Sequence, residues 1–297
     1  MDDETPPRPL GKADGEARPR PLGKDEAMLA NQALWDIWTG IHASGDFYDL
    51  AGFRVGGVRI QPYELEMIGD VVGRSLLHLQ CHFGIDTLSF ARLGAKVTGA
   101  DLSPAAVELA SSLAVDLGFP EARFVQSNLY ELPANLDGRF DIVYTSRGVL
   151  GWLPDIRGWA KVVAHFLTPG GVFFITEMHP ALQVFENEGV APGELRLTYP
   201  YWEHRDPISF AVTGSYADPA SDVGDGVMEH GWDHGLGEIV NALIDAGLRI
   251  ESLVEHPFLD RGVDFQTKAP DGTLRLPEGT AGELPQMFSI RATKPLD

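Results

Sequence analysis

Gln80-Cys81-His82-Phe83-Gly84 and Asp101 are the residues of this chain whose types and spacing most invite chemistry. The loop precedes a helical pattern, and a helix N-terminus offers free N–H groups to an anionic or polar ligand. Asp101 lies seventeen residues after Gly84, and an acid there can accept both hydrogen bonds of a ribose diol. With one glycine the loop is not G-x-G-x-x-G, so a pyrophosphate has little room. No G-x-x-x-x-G-K-S/T loop exists either, which argues against a P-loop nucleotidase. A nucleoside ligand without pyrophosphate fits better. Two further stretches carry candidate general bases: Glu177-Met178-His179-Pro180 and Trp232-Asp233-His234. A histidine suits that role because its pKa lies near working pH. His179 reads equally as a turn residue before Pro180, and His234 as a cap on the following helix. Trp152 and Trp232 are expected to line a pocket.

These residues need elements to hold them. Short apolar runs alternate with helical patterns from Ser75 onward. Strands are predicted over 75–80, 95–100, 122–126, 140–145 and 172–176, with helices over 86–93, 104–117 and 155–167 between them. Ser103-Pro104 reads as a helix cap and first turn. After His179-Pro180 the pattern breaks. Residues 181–231 form an aromatic-rich, loop-like insertion, expected as a substrate lid. A helix over 236–246 and strands over 248–255 and 285–293 resume the pattern, around a Gly/Pro-rich loop at 258–284. Such alternation predicts an α/β fold with a doubly wound, mostly parallel Rossmann-like sheet and an antiparallel last strand. In open sheets of this kind the ligand sits beyond the carboxyl ends of the strands, where Asp101 and the 80–84 loop fall. A sulfonium-bearing nucleoside, S-adenosylmethionine, is the cofactor that such a site suits.

The stretch from His78 to Ser89 (HLQCHFGIDTLS) resembles a bacterial subgroup of small-molecule, class I S-adenosylmethionine-dependent methyltransferases. So do Gly148 to Pro154, Glu177 to Pro180, Trp232 to Glu238 and Phe288 to Thr293. The wider superfamily has an acid and Gly-x-Gly-x-Gly where this chain has His78, Gln80, His82 and Gly84. The resemblance implies that Gln80, Cys81, His82, Gly84 and Thr87 lie along the cofactor loop, with Gln80, Cys81 and Gly84 on the methionyl side. It places Asp101 on the ribose, Leu102 and Leu129 against the adenine, and Asn128 at its amino group. Thr145 and Ser146 would pass beside the methionyl chain. Trp35, His42 and Tyr48 would belong to a lid, with His42 toward substrate. The implied activity is O- or N-methylation of a small molecule. Two rivals stand beside it: a methyltransferase-fold binding or regulatory protein without turnover, and a nicotinamide-dependent Rossmann enzyme.

Composition bounds the rest. The chain has 297 residues, with 23 Lys+Arg against 43 Asp+Glu, a net charge of −20. That balance repels nucleic acid and anionic membranes. Cys81 is the one cysteine, so no intrachain disulfide forms, and a thiol at a strand end is expected to pack rather than react. No apolar run has transmembrane length and no secretory signal opens the sequence, so a cytoplasmic protein is expected. Residues 1–26 are rich in Pro, Gly and charge and are expected to be a disordered tail. A helical lid segment is expected over 27–73, before the main domain at 74–297. His179, His204, His230 and His234 cluster around the insertion, but without an H-E-x-x-H pattern no metal site is expected.

Overall fold

Alternate residues of the central strands point to opposite faces, and both faces are apolar. β1 (Ser75–Leu79), β4 (Phe140–Ser146) and β5 (Leu167–Met178) send Leu77, Leu79, Val143, Phe173 and Ile175 into one buried cluster. They send Leu76, Ile142, Tyr144 and Phe174 into another. A sheet buried on both sides must be covered by helices on both sides. The computed structural model describes residues 23–186, 190–202, 206–259, 266–270, 272–277 and 284–296. His204 and the first 22 residues of the expected tail lie outside these.

Helix α1 (Lys24–Ser44) begins inside the stretch expected as tail, with the Glu26 carboxylate accepting from the Gly23 N–H. The chain then forms α2 (Leu50–Arg54) and α3 (Pro62–Ile68) before β1. α4 (Ile85–Arg92), β2 (Lys96–Asp101), α5 (Pro104–Asp116), β3 (Arg123–Gln126), α6 (Leu132–Asn135), β4, α7 (Ile156–Phe166) and β5 follow in turn. As the sequence predicts, the Ser103 hydroxyl caps α5, accepting from the Ala106 N–H. The strand after α7 begins earlier than its apolar run, at Leu167, because Phe140 pairs with Leu167 across a bulge. Beyond β5 come α8 (Pro180–Gln183), the hairpin β6 (Ile208–Ala211) and β7 (Met228–Gly231), α9 (Leu236–Asp245), β8 (Arg249–His256), the short ladder β9 (Thr267–Lys268) and β10 (Leu274–Arg275), and β11 (Met287–Thr293). The insertion is therefore not wholly loop-like, since it contains an antiparallel hairpin.

The main sheet runs β3-β2-β1-β4-β5-β11-β8. The pairs among β1 to β5 are parallel, and β11 runs antiparallel to both its neighbours. This is the doubly wound α/β sheet that the sequence predicts, with the antiparallel strand last in the chain. The order reverses at β1, next to β4, and the loops leaving those two strands open a cleft. No helix among the described residues is long and apolar enough to cross a membrane.

α1 closes this cleft by packing on the hairpin. Asn31, 1% exposed, uses its amide as a strand backbone would. Its Nδ2 donates to the His230 carbonyl at 2.7 Å and its Oδ1 accepts from the His230 N–H at 3.0 Å. The Trp38 indole donates to the Gly214 carbonyl at 3.1 Å. Asn31→Ala would leave two buried backbone groups without partners, at about 1–3 kcal/mol each. We expect it to speed amide exchange across 208–231 while exchange in the central strands stays slow. Unchanged exchange there would mean that this pair does not hold the hairpin.

Candidate active site

The loop after β1 keeps the backbone of a glycine-rich turn without its glycines. Gln80 has φ +58°, His82 +50° and Gly84 +79°. Left-handed geometry costs a residue with a side chain about 1 kcal/mol or more, so the surroundings must hold the loop in shape. Several hydrogen bonds do. The Cys81 N–H donates to the Ala100 carbonyl at 3.0 Å, and Gln80 Nε2 to the Val149 carbonyl at 3.0 Å. The His82 N–H donates to Asp101 Oδ2 at 2.6 Å. Gly84 cannot be replaced so easily, because a Cβ there would lie 2.6 Å from the Phe124 ring. Beneath the loop, where an acid was to be expected by resemblance, His78 is buried between Thr87 Oγ1 at 2.8 Å and Ser146 Oγ at 3.2 Å. Burial lowers its pKa to about 4, so it stands as a neutral ring between α4 and the end of β4. Thr87, expected along the cofactor, is instead buried against His78 and away from the cleft.

Asp101 ends β2 with its carboxylate at the cleft. It accepts from the Ser103 N–H at 2.9 Å as well as from His82. Burial raises its pKa to about 6 against the pull of these bonds. A cavity of about 790 Å³ opens in front of it, within the range of small-molecule sites. Gln80, Cys81, His82, Gly84, Leu102, Leu129 and Ser146 line it, together with Trp35, Tyr48, Trp152 and Trp232. Asn128 and Thr145 are not among the lining residues. Asn128 Oδ1 caps the turn at 129–131, accepting from the Tyr130 N–H, and Thr145 is fully buried. Ser127 lines the cavity in place of Asn128. Trp232, expected as a substrate wall, packs with Ala27, Met28 and Leu102, beside Asp101. It is 3% exposed, and its indole N–H has no partner among the described residues.

The three candidate bases do not line the cavity. Glu177 is buried, and its carboxylate accepts from the backbone N–H groups of Gly148, Val149, Leu150 and Met178. It shapes the turn after β4. His179 caps α8, with Nδ1 accepting from the Ala181 N–H at 3.0 Å, and its Nε2 lies 3.0 Å from Glu255 Oε1. His234 Nε2 donates to the Leu153 carbonyl at 2.7 Å, and Nδ1 lies 3.4 Å from Glu238. Their neighbour Met178 does line the cavity. His179→Ala and His234→Ala should therefore cost stability, about 1–3 kcal/mol for a lost buried partner, and leave the pH profile of turnover in place. A profile that loses a limb in either variant would restore it as a base.

His42 is also not a lining residue. It is fully buried, 2.6 Å from Ser215 Oγ through Nε2 and 3.4 Å from His82 Nε2 through Nδ1. Around it, Trp35, Trp38, Tyr48, His82, Trp152 and Tyr216 form a continuous aromatic cluster, with Trp35 and Trp152 at 5.1 Å and His42 and Tyr216 at 4.7 Å. Sequence reading missed Ser215 and Tyr216, which join the insertion to α1, and Arg147, whose guanidinium lies 2.7 Å from the buried Glu64. Nothing in their spacing marks them, because the contacts bridge distant segments. Among the described residues no group of three or more His, Cys, Asp or Glu could hold a metal.

The buried Trp232 N–H and Gln80 Oε1, both without a partner among the described residues, are a donor and an acceptor for a ligand at this end of the cavity. With the Asp101 carboxylate they fit a nucleoside bearing an amino-acid tail.

Residues 76–171 match the family model described as a methyltransferase domain. Over 134 residues the chain is 35% identical to a ubiquinone biosynthesis O-methyltransferase of Albidiferax ferrireducens, covering 44% of this chain and 53% of that one. An uncharacterised methyltransferase of Synechocystis is 33% identical over 132 residues, 44% of this chain and 59% of that one. The chain thus spans just over half the length of these curated relatives. Among solved structures, an S-adenosylmethionine dependent methyltransferase of Mesorhizobium loti superposes with a TM-score of 0.55 at 23% identity, over 78% of this chain and 96% of that one. One from Listeria monocytogenes, described as a putative S-adenosylmethionine dependent methyltransferase, gives 0.51 at 19% identity, over 82% and 99%. These two share its fold.

Proposed function

We propose that this chain, whose residues 76–171 carry a methyltransferase domain, methylates a small molecule with S-adenosylmethionine. The observation that carries this reading is the left-handed loop at Gln80, His82 and Gly84, set against the Asp101 carboxylate at the mouth of one cavity. Side chains at 80 and 82 crowd the place where a dinucleotide's pyrophosphate needs bare backbone, which disfavours a nicotinamide cofactor.

Bound there, S-adenosylmethionine supplies a methyl group already activated on a sulfonium. The protein's part is positioning and exclusion of water. Asp101, when ionised, accepts hydrogen bonds from ribose hydroxyls, and Leu102, Leu129 and Trp232 offer apolar walls to a base. Trp35 and Trp152 close the cleft from the lid side, so water is kept from the reacting centre. Since Glu177, His179 and His234 are all engaged elsewhere, the reading favours an acceptor that needs no base from them. An amine, which reacts through its own lone pair, is such an acceptor. The acidic surface and single thiol suit a cytoplasmic enzyme.

Titration calorimetry with S-adenosylhomocysteine, S-adenosylmethionine and NAD tests the reading. We expect the first two to bind and NAD not to bind. Binding of NAD alone would overturn it. Transfer of labelled methyl to a small-molecule extract separates an enzyme from a binding protein: saturating cofactor binding with no transfer to any fraction would favour the latter.

A further inference from the structure

Two charges of opposite sign meet in the cavity wall where β4 ends. Arg147 follows the last residue of β4, and Asp86 stands in the first turn of α4. Both line the cavity, and Arg147 is the one Lys or Arg among its described lining residues. Glu64 of α3 stands behind them, fully buried and outside the lining. Its carboxylate accepts from Arg147 Nη2, from the Tyr144 hydroxyl and from the Gln61 N–H, each at 2.7 Å. The charge of Glu64 is thereby met inside the protein, and the guanidinium is held at the wall with 12% of its side chain exposed. A guanidinium has five N–H donors in a fork that matches a carboxylate, so pairing with Glu64 is compatible with a second carboxylate. Asp86 is placed by the same strand end. Its Oδ2 accepts from Ser146 Oγ at 3.3 Å, and Ser146 is the residue before Arg147. Both charges act on one buried ring, since Asp86 favours and Arg147 opposes protonation of His78.

We infer that Arg147 and Asp86 hold the amino-acid tail of the cofactor, the guanidinium taking its carboxylate and the Asp86 carboxylate its ammonium. The inference rests on the reading of this cavity as the place of an S-adenosyl nucleoside. Such a tail is a zwitterion with both charges on one carbon, and two opposite protein charges recognise it in a single orientation. In a cleft of lowered dielectric each attraction is stronger than in water. The sheet order supplies the span. Asp101 ends β2 and Arg147 follows β4, on either side of β1. Two strand spacings come to about 10 Å, within reach of a ribose, a thioether and an amino-acid tail laid end to end across the 80–84 loop. Fixed at both ends, the ligand has its sulfur placed between them, which is the positioning that methyl transfer needs.

The test titrates the full chain with four nucleosides: S-adenosylhomocysteine, its decarboxylated analogue, its deaminated analogue, and 5′-methylthioadenosine, which lacks both charges. We expect loss of either charged group to weaken binding by at least about tenfold, the scale of one charge-assisted hydrogen bond. Arg147→Gln should erase the penalty for the missing carboxylate and keep that for the missing ammonium. Asp86→Asn should do the converse, and general damage to the fold does not produce this crossed pattern. Arg147→Gln removes the cation paired with the buried Glu64. Should it fail to fold, the Glu64→Gln/Arg147→Gln pair, which removes both charges, gives the same readout. Equal binding of S-adenosylhomocysteine and either singly altered analogue would overturn the inference, and equal binding of the decarboxylated one is the result expected if Arg147 served a carboxylate on the acceptor instead. A full carboxylate preference in Arg147→Gln would overturn it too. If 5′-methylthioadenosine binds as tightly as S-adenosylhomocysteine, the inference fails and the cofactor reading stands. If none of the four binds, the cofactor reading fails and takes the inference with it.

Discussion

Glu177→Ala should lower the melting temperature by about 10 °C and abolish cofactor binding with it. The Glu177 carboxylate, 2% exposed, is the shared acceptor for four backbone N–H groups, three of them in the turn 148–150. Burial raises its pKa, and the hydrogen bonds oppose that rise. Alanine removes the acceptor and leaves the donors in a dry pocket. Removing one side of a buried, hydrogen-bonded charge costs about 3–5 kcal/mol, and for a chain of this size each kcal/mol is worth about 2–4 °C. The cavity would be affected too, since Gly148 and Val149 line it and the Val149 carbonyl accepts from Gln80 Nε2. Glu177→Gln keeps one oxygen and should fall between. A melting temperature within two or three degrees of wild type for the alanine variant would show that water replaces the carboxylate at little cost.

Asp101→Asn should weaken S-adenosylhomocysteine binding by at least about tenfold at pH 7.5, because charge-assisted hydrogen bonds are worth about 1.5–3 kcal/mol. The pH dependence carries the sharper signature. Asp101 titrates near 6 in the folded protein against 3.8 as its ordinary value. Wild-type affinity should therefore drop as pH falls through about 6, and the asparagine variant should lose that step. Stability moves in the other sense. A carboxyl whose folded pKa is raised favours the folded state when protonated, so this contribution declines as pH rises from about 4 through about 6. The group that binds the ligand best when ionised is also the one that strains the empty fold. Calorimetry at pH 5 and 7.5 on both proteins measures the first effect, and melting curves at the same pH values the second. A wild-type affinity that is flat across this range would remove Asp101 from the ribose.

Strand and helix positions were readable because burial on both faces of a parallel sheet forces continuous apolar runs, such as Val172 to Thr176, broken by helical spacing. Asp101 was readable because an acid ending the second strand has a position fixed by topology alone. The left-handed backbone at Gln80 and His82 was not readable, since neither residue type marks that conformation and glycine does. Two of the three base candidates face away from the cavity for a geometric reason. Along an extended strand end, neighbouring side chains point opposite ways, so Met178 enters the cavity while Glu177 and His179 do not. Residue type placed the right segment at the cleft, but only the strand's phase decides which side chain faces it. Ser215, Tyr216 and Asn31 depend on contacts across more than 150 residues of chain, and no local pattern reports those.

β11 lies between β5 and β8 and pairs Met287 with Met178, across more than a hundred residues. This placement has a consequence for the order in which the molecule is assembled. Parallel pairing of β1 to β5 can proceed as those segments leave the ribosome, but β8 cannot join the sheet until a strand far later in the chain is in hand. In the interval β5 presents a free edge and β8 has no neighbour, and unpaired edges are what other chains add to. Loop-closure entropy makes such distant pairing slow. Refolding from denaturant should thus show an early phase in the β1–β4 half and a later one when β11 docks, with aggregation rising with protein concentration in the time between.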